Sequence, residues 1–193
     1  MNSIATNVRQ LYDEPAAMPD GALVRAAREG QGWAQEALFK RFAPIAIGQA
    51  WRLIPSDDPE DLAQEALVHA LVNLHKLSEP QAFAAWLSSI VVRLVMSRLR
   101  RRRAFERIGL RRVAEIDADA MSSGVAGEAR LELREVYAVL SRLAPEERIA
   151  LVLRRVEGLE LKEVATKMGL SLATVKRRIA VAEEQLSSLK GGV

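Results

Sequence analysis

Apolar residues recur three and four positions apart along most of this chain, the spacing of one face of an α-helix. Proline, glycine and polar clusters separate the segments so marked. Residues 20–28 read as a short helix with Asp20 as its N-cap, stopped by Gly30 and Gly32. Residues 33–53 read as a longer helix with Leu38, Phe39, Phe42, Ile45 and Trp51 mostly inward and a kink at Pro44. Asp58 followed by Pro59 is a helix start, a capping carboxylate before a proline at the first helical position. That helix continues to about Leu74. After a short loop with Pro80, residues 82–103 form one long helix with Phe83, Trp86, Leu87, Ile90, Val91 and Leu94 apolar. Residues 128–143 are again helical, Pro145 with Glu146 and Glu147 starts another helix, and Gly158 closes it. The pattern predicts an all-α protein.

Residues 160–186 predict two helices joined by a tight turn. Leu161, Val164, Ala165 and Met168 make one apolar face, and Gly169 ends that helix as a residue free to adopt positive φ. Ser171 is placed to cap the second helix, whose inward face is Leu172, Val175, Ile179, Ala182 and Leu186. Arg177 then points away from that face. Ala173 and Ala180 flank it, and Thr174 and Lys176 lie at the edges. A long cation among small neighbours suits a helix that enters the DNA major groove. An ordinary helical hairpin with a solvated basic face shares this periodicity. Ala165, which lets the helices cross closely, and the cations at the start of the second helix favour a helix-turn-helix.

The helix after Pro59 carries two stripes. Ala63, Leu67, Ala70, Leu71 and Leu74 share one, and Asp61, Glu65, Val68 and Val72 share the other. Two readings of the second stripe are open at this level. It is a protein-docking surface, or its valines are covered by a neighbouring helix and its acids favour the positive helix end. The long helix ends in Arg98, Leu99 and Arg100 to Arg103. Cations stabilise a helix C-terminus, but five arginines in six residues exceed that need, and contact with phosphate is the better reading.

Composition sharpens this picture. The chain has 193 residues, 49% hydrophobic and 5% aromatic, which suits helices around a real core. There is no cysteine, which excludes disulfides, thiolate chemistry and cysteine-ligated zinc. The net charge of +3 is unevenly spread: residues 93–112 hold nine arginines and one acid, and residues 57–65 hold five acids and no base. That asymmetry points to an anionic partner at one place and a different partner elsewhere. No basic-then-apolar leader pattern opens the chain and no apolar run approaches the length of a membrane span, so a cytoplasmic protein without membrane insertion is expected. Four segments are expected: a poorly ordered tail over 1–19, a helical domain over 20–103, a linker over 104–127 and a helix-turn-helix domain over 128–190. Extended, a linker of about 24 residues reaches on the order of 80 Å, more than two DNA turns of about 34 Å.

Three stretches carry a family resemblance: DDPEDLAQEAL at 57–67, FAAWLSSI at 83–90, and LAPEERIALVLRRVEGLELKEVA followed by GLSLATVKRRI over 143–179. In this order, with a linker between, they resemble the sigma-70 family of RNA polymerase sigma factors, most of all the small extracytoplasmic-function (ECF) group. The third domain of larger members has no counterpart here. The resemblance implies two small helical domains joined by a flexible linker, and a transcription initiation factor that needs no cofactor. It implies that Asp61, Leu62, Gln64, Glu65 and Val68 dock on the β′ clamp helices of core RNA polymerase. The loop with Leu77 and Ser78 corresponds to the one that captures a flipped −10 base. The helix with Trp86, Arg93, Ser97, Arg98, Arg100 and Arg101 corresponds to the one that meets the −10 strand. Ser171, Thr174, Lys176, Arg177 and Arg178 fall in the −35 reader. Promoter DNA and an anti-sigma factor are the further partners implied.

This chain departs from the family pattern at several places. Arg93 stands where members often have asparagine, and Leu77 and Glu79 where the loop usually has an aromatic and a glycine. Val181 stands where arginine is frequent, and Glu160 replaces a serine or threonine cap. Few aromatics are available to offset base unstacking, which costs a few kcal/mol. Weaker melting and narrower promoter choice than in an aromatic-rich relative are expected. No phosphate-binding glycine loop is present, so opening would draw on binding energy and not on ATP. Catalysis has little support. The two histidines, His69 and His75, do not share a helix face, and helix capping explains the acids near Asp61. A free-standing helix-turn-helix regulator is the alternative. It requires an effector pocket or a dimer interface, and neither is legible.

Overall fold

The computed structural model describes residues 17–54, 58–107, 140 and 142–190. Among these residues there are helices and no strands. In chain order they are α1 (Asp20–Arg28), α2 (Gly32–Leu53), α3 (Pro59–Val72), two 3₁₀ turns (Leu74–Lys76 and Pro80–Ala82), α4 (Phe83–Arg107), α5 (Pro145–Arg155), α6 (Leu161–Met168) and α7 (Leu172–Lys190). The chain divides into two compact units. One holds the chain up to Ala50 together with Pro59–Leu94, and the other holds Trp51–Asp58 together with the chain from Val95 onward. Of the three points where the chain passes from one unit to the other, two fall inside helices, α2 and α4, and the third lies just before α3. The expected tail and linker lie largely outside the described residues, as does the helix expected over 128–143.

The first unit is built on the apolar faces of α1 to α4. Leu23 and Val24 of α1, Leu38 and Phe42 of α2, Leu67 of α3 and Phe83 and Leu87 of α4 are all buried. The Phe42 and Phe83 rings meet edge to face with centroids 4.8 Å apart, a geometry favoured by the ring quadrupole. Gln49 is buried among them and donates to the Ser88 hydroxyl at 2.8 Å, so its amide is not orphaned.

Two expectations are corrected here. Met18 is buried and its carbonyl accepts from Arg41 at 2.7 Å, so ordered packing begins before Asp20. Pro19, not Asp20, occupies the N-cap of α1, where its carbonyl accepts the Ala22 and Leu23 amides; the Asp20 carboxylate pairs with Arg41 at 2.6 Å instead. Pro44 lies inside α2, which continues through it. It removes one amide and leaves the Lys40 carbonyl without its usual donor, but both residues are exposed, so water can serve that carbonyl.

The second unit holds, with the end of α2 and the latter part of α4, a cluster of α5, α6 and α7 around Ile149, Leu153, Val164, Met168, Val175, Ile179 and Ala182. Arg148 is buried in this unit, 5% exposed, with its Nε donating to the Leu53 carbonyl at 3.1 Å. Burial pushes its guanidinium below the usual arginine value, and the carbonyl partner satisfies part of what water would have supplied. Arg103 pairs with Glu146, and Arg52 with Glu157.

By length and composition the segment Pro80–Phe105, which contains most of α4, could cross a membrane, although polar residues interrupt its apolar run. Its apolar residues are spent otherwise: Phe83, Leu87, Ile90, Val91, Val95 and Leu99 are buried in protein.

Candidate nucleic-acid interface

The turn between α6 and α7 forms as its residues require. Gly169 adopts φ 65° and ψ 38°, the left-handed conformation that costs glycine nothing. Leu170 N–H then donates to the Ala165 carbonyl at 3.0 Å and Gly169 N–H to Thr166 at 3.3 Å, a Schellman closure that satisfies the last carbonyls of α6. At the other end of α6, Glu163 reaches back to accept the Glu160 amide at 2.8 Å. A glutamate pair thus does what a serine or threonine cap does elsewhere.

Ser171 caps α7: its Oγ accepts the Thr174 amide at 3.2 Å, and the two hydroxyls lie 2.8 Å apart in hydrogen-bond contact. Lys176 and Arg177 are exposed, with exposed Ala173 and Ala180 beside Arg177, as the pattern predicts. Neither cation pairs with a carboxylate among the described residues. Two members of the expected faces are corrected. Leu172 is 37% exposed rather than inward, because it is the first residue of the helix and lies beyond the cover of α5 and α6. Arg178 turns back toward α5, its Nη1 lying 3.6 Å from Glu147, and its buried Nε has no hydrogen-bond partner. Arg178 therefore braces the helix from behind, while Lys176 and Arg177 face outward. Arg155 and Glu183, 2.6 Å apart, form a second tie between α5 and α7.

On α4 the cations are disposed otherwise. Arg93 is exposed, but its Nε donates to the Ser89 carbonyl of its own helix at 3.1 Å. Arg98 and Arg102 are partly buried and engaged by other groups of the chain. Arg100 and Arg101 are exposed. Trp86 is partly buried with its ring 6.2 Å from that of Phe83, and Ser97 is partly buried.

The preceding loop runs between the two 3₁₀ turns. Ser78 and Glu79 are exposed, but Leu77 is buried, which corrects its expected contact with DNA: its side chain is the floor of the loop, not its rim. Sequence reasoning missed Arg28. Its Nε donates to the Leu74 carbonyl at 3.1 Å and its Nη2 to the Leu77 carbonyl. No local signal in the sequence could have shown a contact across 46 residues.

The acidic stripe of α3 is open. Val68 is 51% and Val72 70% exposed, and Asp61, Gln64 and Glu65 are exposed on the same helix. The alternative in which a neighbouring helix covers the valines is not what the described residues show. Leu62 is fully buried with Ala63, Ala66 and Leu67, so it cannot touch a partner; it follows the period of the opposite, core face.

Comparison with known proteins agrees with this architecture. The family model described as ECF sigma factor matches residues 22–189, and so takes in helices of both units. An ECF RNA polymerase sigma factor, EcfG of Rhodopseudomonas palustris, is 32% identical over 137 residues, 69% of this chain and 72% of its own. Among solved structures, CnrH in complex with the cytosolic domain of CnrY is similar at 30% identity and TM-score 0.57, covering 90% of this chain and 98% of that one. The sigma factor RpoE of Bartonella quintana, in complex with the anti-sigma factor NepR, shares the fold at TM-score 0.64 and 22% identity, covering 81% of this chain and 96% of that one. A free-standing regulator would share the helix-turn-helix but has no reason to share α1 to α4. The match across both units decides between the two readings: this chain belongs to the extracytoplasmic-function sigma factors, transcription initiation factors that direct RNA polymerase to promoters.

Proposed function

We propose that the chain docks on the β′ clamp helices of core RNA polymerase through Asp61, Gln64, Glu65 and Val68 of α3, with Val72 extending the same stripe. The observation that carries this reading is the pair of half-exposed and largely exposed valines beside carboxylates. Unpaired apolar surface rimmed by charge is what a docking face requires. In the same reading Lys176 and Arg177 of α7 contact the −35 element, with Ser171 and Thr174 at the helix start. Ser78 and the loop around it, with Trp86, Arg93, Ser97, Arg98, Arg100 and Arg101 of α4, meet the −10 element. An anti-sigma factor is a further partner in this reading, as NepR is for the similarly folded sigma factor RpoE, and the site of action is the cytoplasm. No cofactor takes part, and the activity is not that of an enzyme.

The test is to mix the purified chain with core RNA polymerase and measure holoenzyme formation, then transcription from a promoter library. Asp61→Arg with Glu65→Arg should weaken holoenzyme formation while leaving the helical fold intact by circular dichroism. Wild-type affinity in that double variant would remove α3 as the docking face.

A further inference from the structure

We infer that Arg28 is a positioning residue for the loop between the two 3₁₀ turns, and that through this loop it sets discrimination at the −10 element. The inference rests on the reading of that loop as the −10 loop. It begins from a deficiency. The loop residues Leu77, Ser78 and Glu79 have extended or unclassified backbone, with Leu77 at φ −74° and ψ 114° and Glu79 at φ −106° and ψ 106°. No glycine or aromatic of the loop itself holds it in shape. Among the described residues, the side-chain bond that the loop makes within itself is an exposed one, Gln81 Nε2 donating to Glu79 at 3.1 Å.

The support comes from α1. Arg28, in the last turn of α1, sends its guanidinium to two carbonyls three residues apart, Leu74 and Leu77. These bracket the first 3₁₀ turn and open the loop. The Leu74 carbonyl also accepts the Leu77 amide at 3.2 Å, so the guanidinium closes a short turn that has few bonds of its own. At the far end of the loop, Gly21 lies against the backbone of Gln81: a β-carbon on Gly21 would come 3.6 Å from the Gln81 nitrogen. One helix therefore backs both ends of the loop, and the buried Leu77 side chain seats the middle. What is left to a partner is the rim of Ser78, Glu79 and Gln81. A planar guanidinium with several fixed N–H donors reaches both carbonyls at once. A lysine ammonium is a point donor and does not span them equally well.

The experiment uses holoenzyme assembled with Arg28→Met, Arg28→Lys, and the rim variant Ser78→Ala with Glu79→Ala. Transcription is measured across a library of −10 sequences, core polymerase affinity by titration, and amide exchange over residues 77–82 by mass spectrometry. Arg28→Met should retain core affinity, speed exchange in the loop and lower discrimination between −10 sequences on the order of tenfold, the scale of a lost charge-assisted hydrogen bond. Arg28→Lys should recover part of both. A residue that only stabilised the fold would lower output equally on every promoter and leave the ranking intact. If the rim variant changes −10 discrimination and Arg28→Met does not, the positioning role of Arg28 is overturned and the loop assignment stands. If neither variant changes discrimination while Arg28→Met still speeds loop exchange, the anchor stands and the −10 assignment of the loop falls. Should Arg28→Met fail to fold, Arg28→Lys carries the same comparison.

Discussion

α4 and α7 are both basic helices, and they hold their cations in different states. On α7, Lys176 and Arg177 project from a surface of small residues while the opposite face is locked down by Val175, Ile179 and Ala182. Near the end of α4 five arginines crowd into six positions, yet Arg103 pairs with Glu146 and Arg98 and Arg102 are already engaged. The difference shows that the number of cations on a helix does not measure its capacity for phosphate. A guanidinium that already faces a carboxylate has exchanged its counterion at folding, and its release contributes little when nucleic acid arrives. Two open cations on a braced helix present a better-defined surface than five in a crowd.

The largest expected effect tests the bracing. Val175→Asp places a charge with no partner in the core of α5, α6 and α7, and should cost about 3–5 kcal/mol of that unit's stability. Thermal melting of the chain would show it; an unchanged melt would mean the inward face of α7 does not hold the helix. Next comes Arg177→Ala, which should weaken binding of holoenzyme to a duplex with an intact −35 element by about 1–3 kcal/mol. Arg178→Ala separates outward from inward cations: it should act on melting more than on sequence preference, because its guanidinium faces Glu147. Equal loss of −35 preference in both variants would erase that distinction.

Salt dependence sharpens the contrast within α4. If Arg100 and Arg101 each meet a phosphate, removing both should flatten the slope of log K against log salt by about 1.4–1.8. Arg103→Ala should flatten it far less, since Glu146 holds that charge. A flattening of about 0.7–0.9 in Arg103→Ala, half that of the double variant, would show that the ion pair opens on DNA. The smallest effect belongs to Ser171→Ala, which should cost about 1 kcal/mol through the lost cap of α7. A calorimetric comparison with wild type is sensitive enough to find it.

Much of this architecture was legible in the chain because it depends on neighbours three and four residues apart. The turn at Gly169, the cap at Ser171 and the outward direction of Arg177 are local matters, decided by backbone sterics and helical period. Val68 and Val72 marked the limit of that method. The period placed them on a second stripe, but only the packing of the described residues shows that stripe uncovered. Where a residue's role is set by a partner far along the chain, the pattern was silent or misleading. Leu77 and Leu62 were placed among contact residues by family likeness and are buried. Arg28 looked like the last cation of a short helix until its two carbonyl partners appeared. Met18 precedes Pro19 in a stretch with no sustained period, and nothing local announces that it is buried.

The hydroxyl pair at the start of α7 has a consequence for how that end meets an anion. Ser171 Oγ and Thr174 Oγ1 lie 2.8 Å apart, and either can donate to the other. Whichever does so uses its hydrogen, and the remaining hydroxyl is left with one to offer outward. In the proposed reading, an arriving phosphate oxygen would meet one donor shared between two atoms. Rotation about two C–O bonds decides which atom supplies it, and no heavy atom has to move. The cap behaves as a sliding contact, tolerant of small offsets in the seating of a duplex, while the Thr174 amide stays bonded to Ser171 and the helix keeps its start.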